Sequence, residues 1–313
     1  MKGLEICKAY YEAYGKPMLE ASFPHLLPHL AVGLVGSGSE CFGYDDELSR
    51  DHDFEPCFCM FLPDEDVIDR HEAFALERAY AKLPKEYMGL TRAPLSPVGG
   101  NRHGVLRLSD FLADKTGTPD GRLTVQDWFS VPETALAEAV NGEVFWDGDG
   151  RFTAVRTSLA CLPEDVRLKK LAGNLLLMGQ AGQYNYTRCV RRGEGAAAQL
   201  AVFEFVRHAM NAVFLLNRTY LLYYKWCFRR LRELPLLSSL ASPMERLMTT
   251  PNHPLAADEK AALMEQVFGE IVAEVKRQGL SDYAGEEAEG HAYAVNGKIR
   301  DIAVRNRHIL YGV

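Results

Sequence analysis

No uncharged apolar run in this chain approaches the ~20 residues a membrane span needs. A secretion signal is missing too: Glu5 sits in Met1-Lys2-Gly3-Leu4-Glu5-Ile6-Cys7, where an apolar core would be required. Both absences point to a cytosolic protein with no membrane partner. Positive charge is short, with 35 Lys and Arg against 42 Asp and Glu and a net charge of -7. That balance disfavours a surface that coats nucleic acid, leaving room only for local basic patches. The seven cysteines, at 7, 41, 57, 59, 161, 189 and 227, are odd in number and scattered. They read as reduced thiols, and Cys57 and Cys59 have no second Cys/His pair at zinc-site spacing. Internal repeats and low-complexity tracts are absent as well.

What is present is an ordinary globular composition, 47% hydrophobic and 25% charged, over 313 residues. This length can bury a sizeable core in two domains or one large one. Strand signals are confined to the first half. Ala31 to Val35 is apolar without alternation, Phe54 to Leu62 is apolar and aromatic, and Gly104 to Leu108 reads as a third strand. Gly142 to Thr153 reads as a hairpin around a D-G turn. Helical periodicity covers Leu4 to Tyr14, with Gly15 and Pro17 as its stop, and Asp66 to Leu83. From about Arg156 onward only helical patterns remain: Val166 to Gln183, a long region Ala196 to Arg232, Ala256 to Gln278 and Ala294 to Leu310. The expected organisation is an α/β domain over residues 1–155 and an all-helical domain over 156–313.

The most informative stretch follows the first strand. Gly36-Ser37-Gly38-Ser39 is a turn in which two residues without Cβ permit φ > 0 and close approach of a ligand. Its backbone N–H groups and serine hydroxyls suit phosphate oxygens. Further on, Asp51 and Asp53 are two apart. At the start of a strand that spacing puts both carboxylates on one face, where they can hold Mg²⁺ beside a bound phosphate. His52, between them, points to the other face and reads as a packing residue.

Gly38-Ser39-Glu40-Cys41-Phe42-Gly43 followed by Asp51-His52-Asp53 resembles the G-S-x-A-R-G…D-x-D signature of the DNA polymerase beta-type nucleotidyltransferase superfamily. With Ser49-Arg50 and the later Tyr224-Lys225-Trp226, the chain is similar to a bacterial domain-of-unknown-function branch of it. The resemblance implies an α+β fold, with a small mixed-sheet catalytic domain followed by helices. It also implies Mg²⁺ or Mn²⁺ on Asp51 and Asp53, and transfer of a nucleoside monophosphate from a nucleoside triphosphate to an acceptor hydroxyl. In that reading Gly36, Ser37, Gly38 and Ser39 hold phosphates and Lys225 meets the triphosphate. The acidic balance favours a small-molecule or protein acceptor.

Two departures support an alternative, a non-catalytic nucleotide-binding or interaction protein on the same scaffold. Cys41 and Phe42 stand where the signature has alanine and arginine, so a basic group is lost from the turn. The superfamily's third carboxylate also has no counterpart on Gly104 to Leu108, and only Asp110 and Asp127 follow nearby. Capping of a following helix is the plainer role for Asp110. In the second half, Tyr220, Tyr223, Tyr224, Lys225, Trp226, Phe228, Arg229, Arg230 and Arg232 form a dense aromatic and basic cluster. Its plain reading is aromatics in a helix core and arginines on a solvated face.

Overall fold

The strand β1 (Ala31–Leu34) is buried at all four positions, as an apolar run without alternation requires. A computed structural model describes residues 1–51, 54–93, 102–252 and 254–313, with the side chains of Arg50, Asp51, Pro254 and Leu255 outside that description. The chain is α+β, with a small mixed sheet in its N-terminal part and a mostly helical C-terminal region. Met1–Asp127 with Thr134–Ala160 forms one compact unit, and Trp128–Glu133 with Cys161–Val313 forms a second.

In the first unit, α1 (Gly3–Tyr10) runs through a π-helical turn, Tyr11–Gly15, into α2 (Lys16–Ser22). The expected stop at Gly15 and Pro17 therefore does not act. Pro17 directly follows the π-helical turn, where the regular ladder of helix hydrogen bonds is already interrupted, and Gly15 lets the helix approach the Phe58 ring more closely than a Cβ would allow. After β1 come β2 (Cys59–Leu62), α3 (Arg70–Ala81), the short pair β3 (Glu86–Tyr87) and β4 (Leu90–Thr91), and β5 (Gly104–Arg107). Then follow α4 (Leu108–Thr116), α5 (Val125–Ser130), α6 (Glu133–Val140), β6 (Glu143–Asp147) and α7 (Arg151–Ser158). The sheet order is β5-β2-β1-β6, with β2 and β5 parallel and the other pairs antiparallel. Alternation along the strands fills two cores. Tyr10, Val32, Phe58, Met60 and Tyr80 pack in one, and Ala31, Cys59, Phe61 and Phe152 in the other.

The hairpin expected around residues 142–153 is replaced by a strand and a helix. β6 pairs with β1, and Arg151 to Thr153 opens α7. The turn acids do the capping: Asp149 Oδ1 accepts the Arg151 N–H at 3.0 Å, and Asp147 Oδ2 accepts the Thr153 N–H at 2.7 Å.

The second unit is built on α8 (Glu164–Gly179), followed by a π-helical turn, Gln180–Tyr186, and α9 (Thr187–Arg191). The long helical region is two helices, α10 (Gly195–Leu216) and α11 (Tyr224–Glu233). Asn217 breaks it, its amide donating to the Val213 and Leu236 carbonyls and accepting the Leu236 N–H, and Arg218 follows at φ 55°. Next come α12 (Ala241–Thr249) and α13 (Pro254–Arg277), with Gly279 at φ 70° as the stop. The last segment is also divided, into α14 (Ala288–Gly297) and α15 (Ile302–Arg305), because Asp301 caps the latter. α8 packs against α10 and α14. Its Lys169 is fully buried and donates to Asn296 Oδ1 and to the Arg305 and Arg307 carbonyls.

Candidate functional site

The glycine-serine turn leaves the end of β1 in a strained but well-held shape. Gly36 and Gly38 have φ of 101° and 126°, which only glycine adopts readily. At Gly38 a Cβ would also collide with the Glu40 carboxylate and the Arg102 guanidinium. Asn141, just past the end of α6, grips the turn at both polar groups of Gly36. Its Oδ1 accepts the Gly36 N–H at 2.8 Å, and its Nδ2 donates to the Gly36 carbonyl at 2.7 Å. Arg156 on α7 holds that helix end in turn, donating to the Ala139, Val140 and Asn141 carbonyls. Burial pulls the Arg156 pKa down to about 10, which still leaves it charged at neutral pH.

Ser37 is exposed, and Gly38 and Ser39 are half-buried. Among the described residues the N–H groups of Ser37, Gly38 and Ser39 donate to no partner. Three successive N–H groups without a partner at a positive-φ turn are donors that an anion could take up, beside the Glu40 carboxylate that already stands next to Gly38. The Ser37 hydroxyl donates to Glu138 Oε2 at 3.0 Å, and Lys115 Nζ binds the same oxygen at 2.8 Å.

The basic group missing at Phe42 is supplied from elsewhere. Arg102, at the N-terminal approach to β5, bonds the Ser37 carbonyl and, at 2.8 Å, Glu40 Oε1. Its side chain is 36% exposed, against 11% for Glu40. Sequence reasoning missed Arg102 and Asn141, which reach the turn only through tertiary contact, and Arg156, which holds Asn141. The nearest signal was the G-N-R-H run just before the third strand.

Asp51 is not at the start of a strand. β2 begins only at Cys59, and Asp51 ends a 3₁₀ turn, Glu47–Asp51. Strand alternation therefore does not align the pair, and Asp53, like His52, lies outside the described residues. Around Asp51 the chain is acidic. Asp45, Asp46 and Glu47 line an open hollow of about 310 Å³ with Lys2, Glu5 and Phe54. Asp45 is 4% exposed; its Oδ2 accepts the Gly3 N–H at 2.9 Å, while Oδ1 is a buried oxygen without a hydrogen bond. Lys2 Nζ stands 3.9 Å from that oxygen.

β5 carries no acid among Gly104, Val105, Leu106 and Arg107. Just before it, His103 Nε2 lies 2.6 Å from Glu55 Oε1, with both side chains largely buried. Neither fallback for the third carboxylate reaches the turn through a hydrogen bond. Asp110 is exposed in the first turn of α4. Asp127 accepts from the Thr124 hydroxyl and N–H, and these bonds hold its carboxyl below the usual range. For Mg²⁺, the donors are of the right kind, hard carboxylate oxygens, but the buried Asp45 Oδ1 already faces the Lys2 ammonium. Among the described residues, no three His, Cys, Asp or Glu side chains come together as a metal centre.

Lys225 belongs to the second unit, in the first turn of α11, exposed, with Nζ 5.0 Å from the centre of the Trp226 ring.

A family model described as a domain of unknown function (DUF4037) matches residues 128–227, about a third of the chain. The match takes in Tyr224-Lys225-Trp226 and leaves out the turn and both aspartates. No curated protein and no solved structure matches the chain. No helix among the described residues is long and apolar enough to cross a membrane.

Proposed function

We propose that the chain is a metal-dependent nucleotidyltransferase, moving a nucleoside monophosphate from a nucleoside triphosphate to the hydroxyl of a small-molecule or protein acceptor. The observation that carries the reading is the turn itself, where the open N–H groups of Ser37, Gly38 and Ser39 adjoin the Arg102 guanidinium. Open N–H groups and a guanidinium together match the oxygens of a β- or γ-phosphate. Asn141 fixes the turn at Gly36 and Arg156 fixes Asn141, so the turn is shaped before any ligand arrives and little ordering cost remains for binding. Asp51 and Asp53 would hold the Mg²⁺ or Mn²⁺. A bound metal supplies charge neutralisation at the α-phosphate and the departing pyrophosphate.

One observation favours a second reading, a protein that binds a nucleotide without turning it over. β5 offers no carboxylate to take the acceptor proton, and Asp127 is committed to Thr124. Pyrophosphate release separates the two. With Mg²⁺, each nucleoside triphosphate and a pool of hydroxyl-bearing acceptors, the enzyme releases pyrophosphate, and Asp51→Asn with Asp53→Asn does not. Nucleotide binding without any release establishes the second reading.

A further inference from the structure

The aromatic and basic cluster on α11 divides once it is folded. Tyr220, Cys227 and Leu231 are buried, as core residues should be. Tyr223 and Tyr224 are not: they are 54% and 76% exposed, with ring centroids 4.2 Å apart. Two adjacent tyrosines facing solvent are outside the plain reading of the cluster, because a ring of that size is normally placed where its apolar face is covered.

Within their own segment the charge is of one sign, and carboxylates enter only at its far end, from Glu233 and Glu245. From Thr219 to Arg232 the chain carries Lys225, Arg229, Arg230 and Arg232 and no carboxylate, in a protein whose net charge is -7. Lys225, Arg229 and Arg232 follow i, i+4, i+7 spacing and so share one face of α11. At 1.5 Å per residue that stripe is about 10 Å long. Lys225 and Arg229 both lie over the Trp226 ring, at 5.0 and 5.9 Å. Arg232 pairs with Glu245, and Arg230 stands 3.7 Å from Glu233, which holds the far end of the stripe in place.

We propose that this face of α11 is a docking site for single-stranded nucleic acid. The exposed rings of Tyr223 and Tyr224 offer stacking surfaces for unpaired bases, and the cationic stripe beside them tracks successive phosphates. Charge complementarity selects a polyanion. The length of the stripe selects several phosphates over those of one nucleotide, and the open rings select bases that are not already stacked in a duplex. The proposal is independent of the nucleotidyl-transfer reading, in which Lys225 is expected to meet the triphosphate. The test therefore rests on Tyr224 and Arg229.

Fluorescence anisotropy of the full chain is followed with a labelled 12-mer single strand and its duplex, in EDTA and without nucleoside triphosphate, so that the fate of the transfer reading does not bear on the result. The single strand binds and the duplex binds more weakly. Tyr224→Ala lowers the affinity roughly five-fold or more, the loss expected for one base stack. Tyr224→Phe keeps the ring and the affinity, and Arg229→Gln lowers the slope of log K against log salt by about 0.7. Tyr223→Ala is a second probe of stacking should Tyr224→Ala fold poorly, and the thermal midpoint of each variant reports its folding. Absence of single-strand binding, equal affinity for the duplex, affinity unchanged in both well-folded tyrosine variants, or binding only to anionic lipid vesicles would each overturn the proposal.

Discussion

Asn141 determines whether the glycine-serine turn keeps its shape. One side-chain amide satisfies both the N–H and the carbonyl of Gly36, at 2.8 and 2.7 Å, and Gly36 is buried. Asn141→Ala removes both partners at once. A buried donor or acceptor left without a partner costs ~1–3 kcal/mol, so the variant should lose stability in that range or somewhat above. Asn141→Asp is informative beside it. The carboxylate still accepts the Gly36 N–H but turns an acceptor toward the Gly36 carbonyl, so it should also be destabilised. Urea unfolding of the two variants measures this, and wild-type midpoints for both would mean that the turn is held by something else. Arg102 acts at the same place by a different route, closing the turn against Glu40.

At the scale of elements, the contact between α8 and α10 carries a buried polar pair that makes stability depend on pH. His208 is 2% exposed, and its Nδ1 lies 2.8 Å from Asn174 Oδ1. With Nδ1–H donating there, Nε2 is the acceptor facing Arg207 Nη2 at 3.0 Å, which suits the neutral ring. Burial first, then the Arg207 charge, pulls the His208 pKa from 6.5 to about 4, against the opposing pull of Glu204. The folded state therefore refuses a proton that the unfolded chain accepts. Stability should fall as pH drops below about 6.5 and level off near 4, by up to ~3 kcal/mol. Glu164, held down to about 2 chiefly by its hydrogen bond to Arg167, adds a second acid loss as pH falls from about 4.5 toward 2. Thermal midpoints from pH 7 to pH 4 should flatten in His208→Gln, and an unchanged slope would assign the upper limb to other groups.

Elements were legible where their cause was local. β1 is continuously apolar, α13 ends at Gly279, and both stand where the pattern puts them. The pattern failed where a side chain or a close contact overrides it. Asn217 and Asp301 cut helices that look continuous in sequence, and the acids of the D-G turn cap α7 where a hairpin was expected. The candidate site was legible in its backbone, because glycine and serine spacing is a local signal. Arg102 and Asn141 were illegible because 65 positions separate Arg102 from Ser37 and 105 separate Asn141 from Gly36, and Arg156 acts only on Asn141 and its helix end.

At the scale of the whole molecule, the phosphate-suited turn stands in one compact unit and the exposed aromatic and cationic face of α11 in the other. Against an overall charge of -7, the cations of α11 are a local exception, while at the turn Arg102 and Lys115 are each matched by a carboxylate. The central claim is that the turn and the aspartates hold a nucleoside triphosphate together with a divalent metal. A thermal melt with Mg²⁺ or Mn²⁺ and each nucleoside triphosphate tests it most directly, on wild type, Arg102→Gln, and Asp51→Asn with Asp53→Asn. A ligand at a hundred times its dissociation constant adds ~2.7 kcal/mol of stability, enough to move the midpoint visibly. The account predicts a metal-dependent rise in the midpoint that shrinks in Arg102→Gln and disappears in the double aspartate variant. No rise with any nucleotide, or a rise that survives removal of both aspartates, would contradict it.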